Sequence, residues 1–181
     1  MPTSSKPSFA MHAPALRELR ATDRAPIAAI LHATGAFTDE EVGVALELVD
    51  EGLVDATTAD AYRFVVAELD GRVVGYACFG LTPLTDGVFD VYWIAVDPAC
   101  QGRGVGKALL RAVEAEVTRR HGRTILIETG GKPSYAATRT FYDRAGYREI
   151  ARIPDFFRIG DDKVVYARRV DGQDPRRSSE S

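Results

Sequence analysis

Residues 88–110 read VFDVYWIAVDPACQGRGVGKALL, and this stretch decides the fold. Val88 to Val96 is apolar at every position except Asp90, the pattern of a central strand covered on both faces. Asp97-Pro98 ends it, and glycines follow at 102, 104 and 106. The period then changes. Val105, Ala108, Leu109, Ala112, Val113 and Val117 recur at helical spacing, with Lys107, Arg111, Glu114 and Arg119 facing away. The first amides of such a helix lack intrahelical acceptors, and its dipole is positive at that end. Missing side chains at the three glycines let an anion approach the backbone, so the segment is either a pyrophosphate cradle or a tight strand-to-helix turn. Two better-known phosphate loops do not fit. A P-loop needs glycine where Gln101 stands and Ser or Thr where Ala108 stands. A dinucleotide fingerprint opening at Gly102 needs its third glycine where Lys107 stands.

Working outward, Leu16 to Arg20 alternates and reads as a first strand. Thr22-Asp23 then caps a helix carrying Ile27, Ile30 and Leu31. Thr38-Asp39-Glu40-Glu41 is a capping box opening a second helix, with Val42, Leu46, Val49 and Leu53 on one face and its end at or soon after Gly52. Tyr62 to Leu69 and Arg72 to Phe79 read as two strands joined by Asp70-Gly71, a strong hairpin signal. After the central strand and third helix come a short buried strand, TILIE at 124–128, and a fourth helix from Ser134 to Ala145. Tyr147 to Ile153 and Val164 to Arg169 close the series as strands, with Pro154 to Lys163 between them. The order βααβββαβαββ predicts an α+β domain: a twisted, largely antiparallel sheet of about seven strands flanked by four helices.

The chain of 181 residues is 45% apolar and 27% charged, the proportions of one ordinary globular domain, expected over residues 15–170. Residues 1–14 and 171–181 read as mobile tails. A net charge of −3 supplies no positive field, so neither nucleic acid nor an anionic membrane is expected as a partner. No apolar run is long enough to span a bilayer, and no secretory leader is evident. Two cysteines, Cys78 and Cys100, make no disulfide framework, so reducing cytoplasm is the expected compartment. The histidines, His12, His32 and His121, have no ligand spacing, and no metal is expected.

VDPACQGRGVGKALL resembles the acetyl-CoA-binding signature of the GNAT superfamily of N-acetyltransferases, Q/R-x-x-G-x-G/A, met here by Gln101, Gly104 and Gly106. A second family segment appears as Phe141-Tyr142-Asp143-Arg144-Ala145-Gly146-Tyr147, and the resemblance covers roughly residues 15 to 170. It implies that acetyl-CoA is the cofactor and that an acetyl group moves to a primary amine, directly and within a ternary complex. Gln101, Gly102, Arg103, Gly104, Val105, Gly106 and Lys107 would hold the diphosphate, with Arg103 and Arg139 in reach of phosphates. The main chains of Ile94 and Val96 would pair with the pantetheine arm where their strand splays from its neighbour.

Tyr142 stands at the position of the family's usual general acid, or else it packs the fourth helix on the sheet. A phenol near pKa 10 can donate to a thiolate whose acid has a pKa of about 8.5. Asp90 matches the place of a catalytic glutamate in some members, six residues before the final valine of the strand; its other reading is a turn hydrogen bond. Being one methylene shorter, it would work through a bridging water. Glu128 would bind the amine as a cation, act as base through water, or cap the loop after it. Asp155 is a third carboxylate for the acceptor, and Phe37 in ATGAFT an apolar contact, which together suit a small cationic amine. Where many relatives begin the fourth helix with asparagine this chain has Tyr135, so cofactor contacts there depart from the pattern. Rival readings are a non-catalytic CoA-binding domain and a lysine or N-terminal protein acetyltransferase. A homodimer through edge strands or the final hairpin is compatible with the pattern.

Overall fold

The computed structural model describes residues 13–54, 58 and 61–172. Most of both expected tails, 1–12 and 173–181, lies outside the described residues. Eleven regular elements follow in order: β1 (Ala15–Arg17), α1 (Arg24–Thr34), α2 (Asp39–Val54), β2 (Arg63–Leu69), β3 (Arg72–Leu81), β4 (Val88–Val96), α3 (Val105–Arg119), β5 (Thr124–Gly130), α4 (Ala136–Arg144), β6 (Arg148–Arg158) and β7 (Asp161–Arg169). The seven strands form one sheet in the order β1-β2-β3-β4-β5-β7-β6. All neighbours are antiparallel except β4 and β5.

Local chemistry accounts for most boundaries. Asp70 and Gly71 take φ of 51° and 74°, the left-handed pair a tight hairpin between β2 and β3 needs. At the start of α2 the Glu41 N–H donates to Thr38 Oγ1 while the Thr38 N–H donates to Glu41 Oε2, closing the capping box. α3 buries Val105, Leu109, Leu110, Val113 and Val117 against one face of the sheet. With α4 it covers a core that includes Val74, Phe79, Ile125 and Ile127. α1 and α2 cover the other face through Ile27, Leu31 and Val49, packed with Val66, Tyr76 and Cys78. Each such aliphatic side chain contributes about 1.5–3 kcal/mol by leaving water.

Four expectations need correction. β1 ends at Arg17 rather than Arg20, because the buried carboxylate of Asp23 takes both guanidinium arms of Arg17, at 2.6 and 2.8 Å, and the Arg20 N–H at 2.8 Å. That engagement also removes Asp23 as a side-chain cap of α1; Ala21–Asp23 is a 3-10 turn instead. α4 begins at Ala136 after a 3-10 turn over Pro133–Tyr135, not at Ser134. The last two strands extend to Arg158 and Asp161, so the expected connection from Pro154 to Lys163 is largely hairpin; Asp155, at φ 52°, absorbs the irregularity in it.

One feature of the sheet positions the site. β4 pairs with β5 only over Val88–Val91 and Thr124–Ile127, so Tyr92 to Val96 run on without a β5 partner. On the β3 side Phe79 pairs with Val91 and Cys78 with Trp93, leaving Tyr92 as an extra, bulged residue. The two strands therefore form a fork.

Candidate active site

A cavity of about 590 Å³ opens at this fork. β4 contributes Ile94 and Val96, α3 and the loop before it contribute Gln101 to Lys107 except Arg103, and α4 contributes Ala137, Thr138, Phe141 and Tyr142. Asp97 turns the chain into it: its Oδ1 accepts from the Ala99 N–H at 2.9 Å, starting the turn at Pro98. Gly102 and Gly104 follow at φ 72° and 82°, and no atom lies within 4 Å of where a Cβ would stand on either. The first amide of α3 with a helical acceptor is that of Ala108, bonded to the Gly104 carbonyl at 2.9 Å. The amides of Val105, Gly106 and Lys107 thus have no carbonyl beneath them in the helix. Gly106 serves a different end, since a Cβ there would stand 3.1 Å from Phe141 Cζ. Open backbone, free amides, a helix dipole and a volume within the usual ligand range fit a diphosphate with a long thin tail.

Tyr142 lies at the inner end of this cavity, buried among Phe141, Tyr147 and Tyr166, with ring centroids 5.4, 6.4 and 5.5 Å away. Among the described residues its hydroxyl makes no hydrogen bond. Burial pushes its pKa well above the ordinary phenol value, so the hydroxyl stays protonated. The Val96 carbonyl accepts a long bond, 3.4 Å, from Gln101 Nε2.

The other side of the fork is built differently. Sheet register places Asp90, Glu128 and Lys163 on the face that α1 and α2 cover, opposite Tyr142. Asp90 is half-buried and accepts from Thr82 Oγ1 at 2.6 Å. Desolvation raises its pKa and outweighs the lowering by the Thr82 bond; Glu128 adds to the rise and Lys163 opposes it. Glu128 is paired with Lys163 at 2.6 Å, and the ammonium also sits 4.6 Å above the Phe156 ring. Phe37, in the loop between α1 and α2, packs edge-on against Trp93 of β4 at 5.0 Å.

Three residues singled out by sequence sit apart. Arg139 does not line the cavity; its guanidinium donates to the carbonyls of Gly130, at 2.8 Å, and Lys132, at 3.1 Å. Arg103 is exposed and also outside the lining. Asp155 accepts from the Gly160 N–H at 2.7 Å, which closes the hairpin turn. Sequence reading gave no role to Lys163, Trp93 or Thr82, and named Phe141 only as part of the second family segment. A lone tryptophan beside the only charge of a central strand is a signal for Trp93; Lys163 carries none, because only the β5–β7 register brings it to Glu128.

Residues 60–149 match the family described as Acetyltransferase (GNAT) domain. The chain is 32% identical over 117 residues to the N-alpha-acetyltransferase RimI of Mycobacterium tuberculosis, covering 62% of this chain and 68% of that protein. It is 30% identical over 128 residues to the L-methionine sulfoximine/L-methionine sulfone acetyltransferase of Salmonella typhimurium, covering 70% and 72%. A GNAT-family structure from Desulfovibrio desulfuricans superposes with TM-score 0.83 at 44% identity, covering 87% of this chain and 99% of that one. Three other curated relatives are matched over 65%, 28% and 58% of their own lengths. The chain belongs to the GNAT acetyltransferase family. Among the described residues, no helix is long and apolar enough to cross a membrane.

Proposed function

We propose that this protein is an N-acetyltransferase that uses acetyl-CoA to acetylate a primary amine of a small molecule, by direct transfer in a ternary complex. The observation that carries the reading is the fork between β4 and β5: an anion cradle and a protonated phenol on one face, and on the other a half-buried carboxylate held by Thr82. Bound acetyl-CoA supplies an activated acetyl thioester. Amides at the start of α3 hold its diphosphate, and the exposed backbone of Ile94 and Val96 lines the arm. The attacking amine must first lose a proton, because a lysine-like ammonium has a pKa near 10. Asp90 takes it through a water, its basicity raised by burial. The Tyr142 hydroxyl donates a hydrogen bond to the departing sulfur, and its raised pKa favours holding that proton over surrendering it.

Glu128 is paired with Lys163 and Asp155 closes its turn, which favours Asp90, held at one oxygen by Thr82, as the carboxylate for the amine. The Phe37–Trp93 pair gives the acceptor an apolar contact. β6 is an edge strand that exposes Ile150, Ile153, Phe156 and Phe157 among its charged residues, which supports a homodimer through that edge. The name of the Mycobacterium tuberculosis relative favours a second reading, a protein N-terminus as acceptor. Acetylation assays with free amino acids, diamines and short peptides, beside calorimetry with acetyl-CoA and ATP, test both. Transfer to small amines with binding of acetyl-CoA alone is the expected result. Binding without transfer would make the chain a CoA-binding module.

A further inference from the structure

We propose that Tyr135 is a specificity-determining residue: it straps the α1–α2 loop to the β5–α4 loop as a fixed wall, so the site admits a small amine and excludes a polypeptide. The inference rests on the acetyltransferase reading above and names its acceptor class. The Tyr135 hydroxyl donates to the Ala36 carbonyl at 3.0 Å, joining residues 99 apart in the chain. Ala36 adjoins Phe37, whose ring meets Trp93 beside the cavity-lining Ile94. The strap therefore holds an acceptor-side wall in register with the strand that borders the cofactor.

The tyrosine ring is itself flanked by Gly130 and Lys132. It lies against Gly130, where a Cβ would come within 3.1 Å of both Tyr135 Cδ2 and Asp161 Oδ1, so a larger residue at 130 crowds the ring and that carboxylate. Lys132 Nζ stands 5.3 Å from the ring centroid and reaches back to the buried Asp161 carboxylate at 3.6 Å. Arg139 ties the carbonyls of Gly130 and Lys132 together, which gives this guanidinium a positioning role in place of a phosphate-binding one. Tyr135 does not line the cofactor cavity, and its hydroxyl instead engages the loop that carries Phe37. The Tyr135–Ala36 bond crosses from one loop to the other, so a polypeptide entering between them as an extended chain would have to break it. A free amine without a chain behind it needs no such passage.

The test compares Tyr135→Phe, which keeps the ring and removes the hydroxyl, with Gly130→Ala, which crowds the ring and Asp161 Oδ1. Amide hydrogen exchange at residues 33–38 should be about 2- to 10-fold faster in both, the loss expected of one hydrogen bond. KM for the best free amino acid or diamine should rise, while acetyl-CoA affinity and kcat hold. A hexapeptide with a free N-terminus, poor for the parent protein, should become a better acceptor. Unchanged exchange at 33–38 in Tyr135→Phe overturns the strap whatever the activity. A parent protein that acetylates the hexapeptide as readily as small amines overturns the selectivity. No transfer to any amine, with the loop loosened in both variants, supports the strap and overturns the acetyltransferase reading instead.

Discussion

Gly104 is the position at which the anion cradle can be tested most cleanly. It caps α3 at φ 82° and ψ 2°, and its carbonyl accepts the first helical amide. No atom lies within 4 Å of the Cβ an alanine would add, so Gly104→Ala acts through backbone strain and not through collision. Left-handed backbone costs an L-residue about 1–2 kcal/mol. That penalty has two places to appear. If the loop keeps its shape when empty, the folded state carries the strain, and melting falls by about 2–4 °C per kcal/mol for a chain of this size. If the empty loop relaxes, the free amides must be re-formed on binding, and acetyl-CoA affinity drops about 5- to 30-fold. Calorimetric unfolding and titration on the same sample measure both, and the two losses should sum to about 1–2 kcal/mol. Losses totalling under about 0.5 kcal/mol would show that 104 tolerates a side chain freely, and the cradle would not depend on its conformation.

Three further outcomes follow from the site. Tyr142→Phe keeps the ring among its aromatic neighbours, so kcat should fall about 100-fold with acetyl-CoA affinity unchanged in titration; a parallel loss of both would assign Tyr142 to packing alone. Asp90 has a raised pKa in the fold, so its ionised form is disfavoured there: the cost is absent below the unfolded value and fully present once pH exceeds the folded one. Asp90→Asn should therefore raise the melting temperature at about pH 8 and not at about pH 3, while removing the acidic limb of kcat/KM. Lys163→Met leaves Glu128 without its cation and takes a positive charge from Asp90, so the acidic limb should move to higher pH; a limb that stays put would exclude Asp90 as the group it reports.

The cradle was legible in the sequence because every part of it is local. The apolar run of Val88–Val96, the Asp97-Pro98 turn, the glycines and the helical period of α3 each lie within a few residues of the next. The element order was legible for the same reason, through the Asp70-Gly71 turn and the Thr38–Glu41 box. Features set by distant contacts were not. The end of β1 is fixed by Arg17, which reaches Asp23 and also Glu68, 51 residues away. Lys163 falls in the connection between the last two strands until β7 pairs with β5 and brings it to Glu128. Tyr135 shows in the sequence only as a departure, and its partner Ala36 has no side chain to advertise the bond.

The bulge at Tyr92 is the most consequential of these silent features. No glycine or proline marks it, and the strand reads as continuous. Yet the extra residue lets Trp93 face α1 and α2 while Ile94 faces the cavity, just where β5 has ceased to pair. A regular β4 would move each later side chain to the opposite face, turning Trp93 toward α3 and Ile94 toward the acceptor side. Phe37 would then lose its partner and the cavity its wall. The function proposed here thus depends on an interruption in the sheet, because an intact sheet would separate donor from acceptor by a continuous layer of backbone.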